Sequence, residues 1–209
     1  QNQGGTEGLR SPTAVSVSPD GRHVYVASES DSAVAIFRVA RTTEQLVYVD
    51  AVRNGQDGVA YLSSPHAVTV SPDGRHVYVA AELSDAVVGF ERDPVSGRLT
   101  YIEAIRDGRD GVDGLNAAES VTVSPDGGHV YAAGYQDDAV AVFQRDTATG
   151  ALMLVQVVRD GEDVARPDVD RPGVGPVPVF VGLDIEIGYN HRGIEKISES
   201  KTFEQAVFL

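Results

Sequence analysis

The chain has 209 residues, 31 of them acidic against 17 basic, and a formal net charge of −14. Such a surface repels phosphate backbones and argues against nucleic acid as a partner. Cysteine is absent, which excludes disulfides, thiol nucleophiles and cysteine-ligated metals. No apolar run reaches the roughly 18 residues of a spanning helix, so no transmembrane segment is expected. A content of 42% hydrophobic and 23% charged residues is ordinary for a globular chain with a core. The chain starts at Gln1, as a processed or partial chain does, so a secreted, periplasmic or cell-surface location is expected, with the cytoplasm left open.

Along the chain one text is written three times. It reads SPTAVSVSPDGRHVYVASESDSAVAIF from Ser11, SPHAVTVSPDGRHVYVAAELSDAVVGF from Ser64 and ESVTVSPDGGHVYAAGYQDDAVAVF from Glu119. Val15, Val68 and Val121 recur at a constant spacing of 53, as do Tyr25, Tyr78 and Tyr131, and Phe37, Phe90 and Phe143. Each unit predicts four strands. In the first copy residues 14–18 alternate Val with Ser, and Ser18-Pro19-Asp20-Gly21 makes a tight turn, with proline presetting φ and glycine closing it. Strands follow over residues 23–27 and 33–38, separated by the polar loop 28–32. A longer turn precedes the fourth strand, 46–52. β-branched and aromatic residues dominate these segments, and none shows helical periodicity.

Four short antiparallel strands recurring at this length define a β-propeller blade. The expected fold is all-β, with blades over about residues 11–63, 64–116 and 117–165. The string SPDG-x-x-VYVA resembles the YVTN-type repeat of surface-layer and lactonase-like seven-bladed propellers, over residues 11–165. That resemblance implies the fold; its families include lactonase-like enzymes of the 6-phosphogluconolactonase type as well as proteins without known chemistry.

The repeat stops after the third copy. Pro172, Pro176 and Pro178 obstruct a central strand where a fourth would start. Residues 166–209 form a divergent segment, a Pro/Gly linker and then a strand-like tail. Propellers need about 4–8 blades to close, so this is a partial propeller or one completed by oligomerisation, and the expected partner is a second copy of the chain, a longer parent protein or another protein.

His23, His76 and His129 recur one per blade. In the propellers this repeat resembles, the strand before the SPDG turn is innermost, which implies that these histidines lie one strand out from the channel, where a hairpin or interblade role is expected rather than metal binding. The Asp-Gly-rich linker carries Asp107, Asp110 and Asp113, the candidate ligands for calcium, which favours oxygen donors on tight loops. Their spacing of three is not that of an EF-hand, and Arg106 and Arg109 stand beside them, so structural Arg–Asp bracing between blades is the competing reading and no cofactor is otherwise expected. Glu29, Asp31, Glu82, Asp85, Asp137 and Asp138 fill the loops between second and third strands as solvated turns. No catalytic residues stand out. Near-identity of the blades favours a non-catalytic scaffold binding protein or glycan, with a lactonase-like hydrolase as the alternative.

Overall fold

The computed structural model of the protein describes residues 5–162. Twelve strands form three four-stranded antiparallel sheets, each paired in sequence order. The first contains β1 (Pro12–Val17), β2 (His23–Ser28), β3 (Ala33–Val39) and β4 (Leu46–Arg53). The second contains β5 (Pro65–Val70), β6 (His76–Ala81), β7 (Ala86–Arg92) and β8 (Leu99–Arg106). The third contains β9 (Ala118–Val123), β10 (His129–Gly134), β11 (Ala139–Arg145) and β12 (Leu152–Arg159). The three blades read from the repeat are present and in register. Among the described residues helix is limited to two single 3₁₀ turns, Glu82–Ser84 and Tyr135–Asp137. No described helix is long and apolar enough to cross a membrane. The proline-rich linker and strand-like tail lie outside the described residues.

The SPDG motif explains itself in the first hairpin. The Gly21 N–H donates to the Ser18 carbonyl (2.8 Å) with Gly21 at φ +68°, a conformation glycine adopts without Cβ strain. The Ser18 hydroxyl donates to Asp20 Oδ1 (2.6 Å) and accepts from the His23 N–H (3.0 Å), and Asp20 Oδ1 also accepts from the Arg22 N–H (3.0 Å). The turn therefore buries its serine and fixes Oδ1 of its aspartate, while Asp20 Oδ2 accepts from Arg92 of the second blade.

The first strands of successive blades, β1, β5 and β9, lie side by side, which makes them the innermost. Most of the core lies between blades, with a smaller cluster of Val24, Val26, Ala35 and Phe37 within the first blade. Tyr25, Val34 and Ile36 of the first blade pack on Val77, Val88 and Phe90 of the second, and Tyr78 and Val87 of the second pack on Val130, Ala141 and Phe143 of the third. The sequence pattern places Val15 and Val17 in this core, but they are 63% and 55% exposed, whereas the equivalent Val68 is 7% exposed. Val68 meets the blade before it; Val15 has no preceding blade among the described residues.

Candidate functional site at the axial mouth

Each chain entry into an innermost strand is built alike. Ser11, Ser64 and Ala117 turn the backbone with φ near +53° (54°, 53° and 52°). Their carbonyls accept from the N–H groups of Glu29, Glu82 and Tyr135, at 3.0, 2.9 and 3.0 Å, tying the entry to the loop between second and third strands. Two residues on, the ladder slips. Pairing skips between Pro12 and Ala14, between Pro65 and Ala67, and between Ala118 and Ser120. Thr13, His66 and Glu119 are thus the extra residues of three equivalent β-bulges. A bulge releases one residue from pairing and re-aims its side chain, and bulges concentrate beside active sites.

Here the repeat loses its symmetry: one position of the innermost strand holds threonine, histidine and glutamate in turn. The Thr13 hydroxyl donates to the Pro65 carbonyl of the next blade (2.8 Å). His66 Nε2 stands 3.3 Å from Glu82 Oε2, with both side chains between a quarter and a third exposed (27% and 29%). The Ser64 hydroxyl donates to the same Glu82 oxygen (3.0 Å) and fixes it. An imidazole and a carboxylate thus stand side by side at the bulge, a pairing in which the carboxylate can orient the ring.

The recurrent histidines do different work. Arg92, at the end of β7, inserts into the first blade: Nε donates to the Tyr25 hydroxyl (2.9 Å), and Nη2 donates to Asp20 Oδ2 (3.0 Å) and to His23 Nδ1 (2.8 Å). Nη1 donates to the Gly74 carbonyl of its own blade (2.8 Å). Arg145 repeats all of this on Tyr78, Asp73, His76 and Gly127. An arginine only donates, so His23 Nδ1 must accept and the ring is neutral. Burial, then the adjacent Arg92 guanidinium, push its pKa below the ordinary 6.5. Desolvation would raise the Asp73 carboxyl, but the Ser71 hydroxyl, Arg145 and the Arg75 N–H outweigh it and hold the pKa at about 2. These groups form an interblade clasp.

The acidic loop residues are engaged as well. Asp85 Oδ1 accepts from the Ala117 N–H (2.8 Å), Asp137 Oδ2 from the Asn116 N–H (3.0 Å), and Asp31 Oδ2 from the Arg10 N–H (2.9 Å). Of the calcium candidates, Asp107 and Asp113 come together with Asp137, their ligand atoms within 4.8 Å of one another; Asp110 is not in that group. Asp110 occupies a turn at φ +51°. Asp107 Oδ1 accepts from the Gly114 and Leu115 N–H groups (2.8 and 3.0 Å), and Asp113 pairs with Arg159 (2.7 Å).

Sequence reading passed over His66 because it looked for residues that recur. The available signal was the reverse: a position in the innermost strand where otherwise matching copies diverge.

Two overlapping stretches, residues 2–108 and 63–167, match the profile of the family "Lactonase, 7-bladed beta-propeller". The chain belongs to this family. It is 26% identical over 144 residues to a 6-phosphogluconolactonase of Bacillus subtilis, covering 69% of this chain and 40% of that protein. To a Klebsiella pneumoniae 6-phosphogluconolactonase it is 21% identical over 160 residues, 77% of this chain and 47% of the relative. Among solved structures, the periplasmic gluconolactonase of Pseudomonas aeruginosa superposes with a TM-score of 0.59 at 26% identity, over 71% of this chain and 39% of its own. The chain thus spans less than half the length of these relatives. The lactonase family and relatives overturn the reading of a non-catalytic scaffold. That reading rested on blade symmetry, and the bulged positions 13, 66 and 119 are where the symmetry fails. Of the resemblance read from the SPDG repeat, the match shows the seven-bladed lactonase propeller.

Proposed function

We propose that this chain contributes the axial mouth of a lactone-hydrolysing propeller acting on a sugar lactone, with His66 as general base and Glu82 as the group that orients it. The observation that carries this reading is the His66–Glu82 pair, 3.3 Å apart at a β-bulge. In this scheme His66 Nδ1 takes a proton from water as the oxygen attacks the lactone carbonyl. The tetrahedral adduct collapses with cleavage of the ring C–O bond. The imidazolium returns its proton to the departing ring oxygen, giving the open hydroxy acid. The family and the named relatives support the substrate class. An extracytoplasmic location belongs to the same reading, supported by the likeness to a periplasmic gluconolactonase.

The product offers a test that does not depend on turnover. Titrating gluconate into the intact chain should shift the His66 ring resonances saturably and leave those of the clasped His23 and His76 in place. Equal, non-saturating shifts at all three histidines would remove the site from the mouth.

A further inference from the structure

The segments that lead into the three innermost strands follow one pattern. They read Glu7-Gly8-Leu9, Ala60-Tyr61-Leu62 and Asp113-Gly114-Leu115, each 53 residues from the next. The fourth strand of each blade ends on an arginine: Arg53, Arg106 and Arg159. In the first and third blades that arginine is paired with the carboxylate of its entry segment. Arg53 Nη2 lies 3.1 Å from Glu7 Oε2, and Arg159 Nη2 lies 2.7 Å from Asp113 Oδ1. The second blade breaks the pattern, because Ala60 stands where the carboxylate would be. Arg106 forms no salt bridge among the described residues, and its Nε is buried without a hydrogen-bond partner.

The same segment departs a second time. Gly8 and Gly114 have φ of +77° and +130°, and a Cβ on either would run into the side chain of Ala51 or Val157 on the fourth strand. Tyr61 takes their place at φ +59°, a conformation that bulky side chains rarely adopt. Strained residues of this kind concentrate at active sites and ligand clamps. The Tyr61 ring lies against Arg106, with the guanidinium carbon 4.1 Å from the ring centroid. Tyr61, Arg106 and Arg109 line a cavity of about 280 Å³, together with Ile105 and Val112. Asp110 lines it too, but is paired with neither arginine, so two guanidinium groups face one carboxylate.

We propose that this cavity, on the outer edge of the second blade, binds a small organic carboxylate, whose charged end takes the place on Arg106 that Glu7 and Asp113 occupy on Arg53 and Arg159. The chemistry of the walls selects this ligand. A guanidinium fork matches the plane of a carboxylate, and the Tyr61 ring with Ile105 and Val112 offers an apolar surface to the rest of the molecule. In a chain of net charge −14, two arginines without carboxylate partners make a local positive site. Arg106 ends the strand at the opposite edge of its sheet from the one that carries His66, so the inference does not rest on the lactone reading.

Benzoate is the probe, with neutral benzamide as its isostere, at an ionic strength held constant with sodium chloride. In heteronuclear NMR spectra of the full chain, benzoate should shift the Arg106 Nε–H and Tyr61 ring signals saturably and leave the Nε–H signals of Arg53 and Arg159 in place. Benzamide should bind at least about tenfold more weakly, the worth of one charge-assisted hydrogen bond. Ala60→Glu gives the second entry segment the carboxylate of the other two. It should close the site from within and weaken benzoate at least about tenfold. Should Ala60→Glu fail to fold, Arg106→Gln is read at the Tyr61 ring against the same loss. Non-saturating shifts, equal shifts at all three arginines, benzamide binding as well as benzoate, or undiminished binding in the folded variant would each overturn the proposal and leave Tyr61 as no more than a substitute partner for Arg106.

Discussion

Arg92 and Arg145 are 2% and 0% exposed at the side chain, and each donates to four different groups. Removing one strands an aspartate, an imidazole acceptor and a carbonyl together. Arg145→Met should therefore destabilise the protein by about 2–4 kcal/mol in urea unfolding, below the full value for a buried pair because Asp73 remains a third exposed (34%). A cost under about 0.5 kcal/mol would show that the clasp is incidental. The same groups set the acid limb of stability. Burial and Arg145 depress His76, so the folded state resists protonation; its contribution is complete above the ordinary 6.5 and is lost as pH falls below it. Asp73, depressed to about 2 from 3.8, contributes above 3.8 and is lost as pH falls toward 2. Urea midpoints should thus decline in two stages, and His76→Gln should shrink the upper stage, to which the clasped His23 also contributes, without changing the lower one. A single decline below about pH 4 in the wild type would contradict the assignment. At this scale the sequence was half legible. Tyr25, His23 and Asp20 announce themselves by recurring at 53, but nothing local reveals that they converge on an arginine 67, 69 and 72 positions away in the next blade. The joint exists only once blades are stacked.

The strands were legible almost to the residue, because alternation, the Pro-Gly turn and the constant spacing all agree. The bulges were not. A one-residue slip at His66 leaves no mark on composition or period, and it follows from the entry turn at Ser64 with φ +53°. Packing between elements makes its own prediction. Phe90 on β7 is fully buried and sits edge-on to Tyr101, their centroids 6.1 Å apart. Phe90→Ala should cost about 3–5 kcal/mol; a loss below about 1 kcal/mol would move it out of the interblade core. The linker leading into the third blade is already held by its own polar contacts. Asp107 caps two backbone N–H groups and Asp113 is paired with Arg159, so a cation would compete with an internal positive charge. Added calcium is expected to leave the melting midpoint at its ionic-strength-matched value. A saturable, chelator-reversible rise lost in Asp113→Asn would contradict this.

For the molecule as a whole, stability is a property of stacked blades, as in other repeat architectures where each unit contacts only its neighbours. The exposed Val15 in the first blade and the half-buried Tyr131 in the third match buried residues, Val68 and Tyr78, in the second. In the proposed reading the same architecture sets the function: side-by-side innermost strands offer equivalent positions, and Thr13, His66 and Glu119 are where those positions differ. The measurement that bears most directly on the account is hydrolysis of glucono-1,5-lactone by the intact chain, corrected for spontaneous ring opening. His66→Gln should lower kcat/KM by about 10²–10⁴-fold, as expected for loss of a general base, while His129→Gln, in the third blade, leaves it unchanged. Turnover by the wild type that His66→Gln does not diminish, or wild-type hydrolysis no faster than the spontaneous reaction, would contradict it.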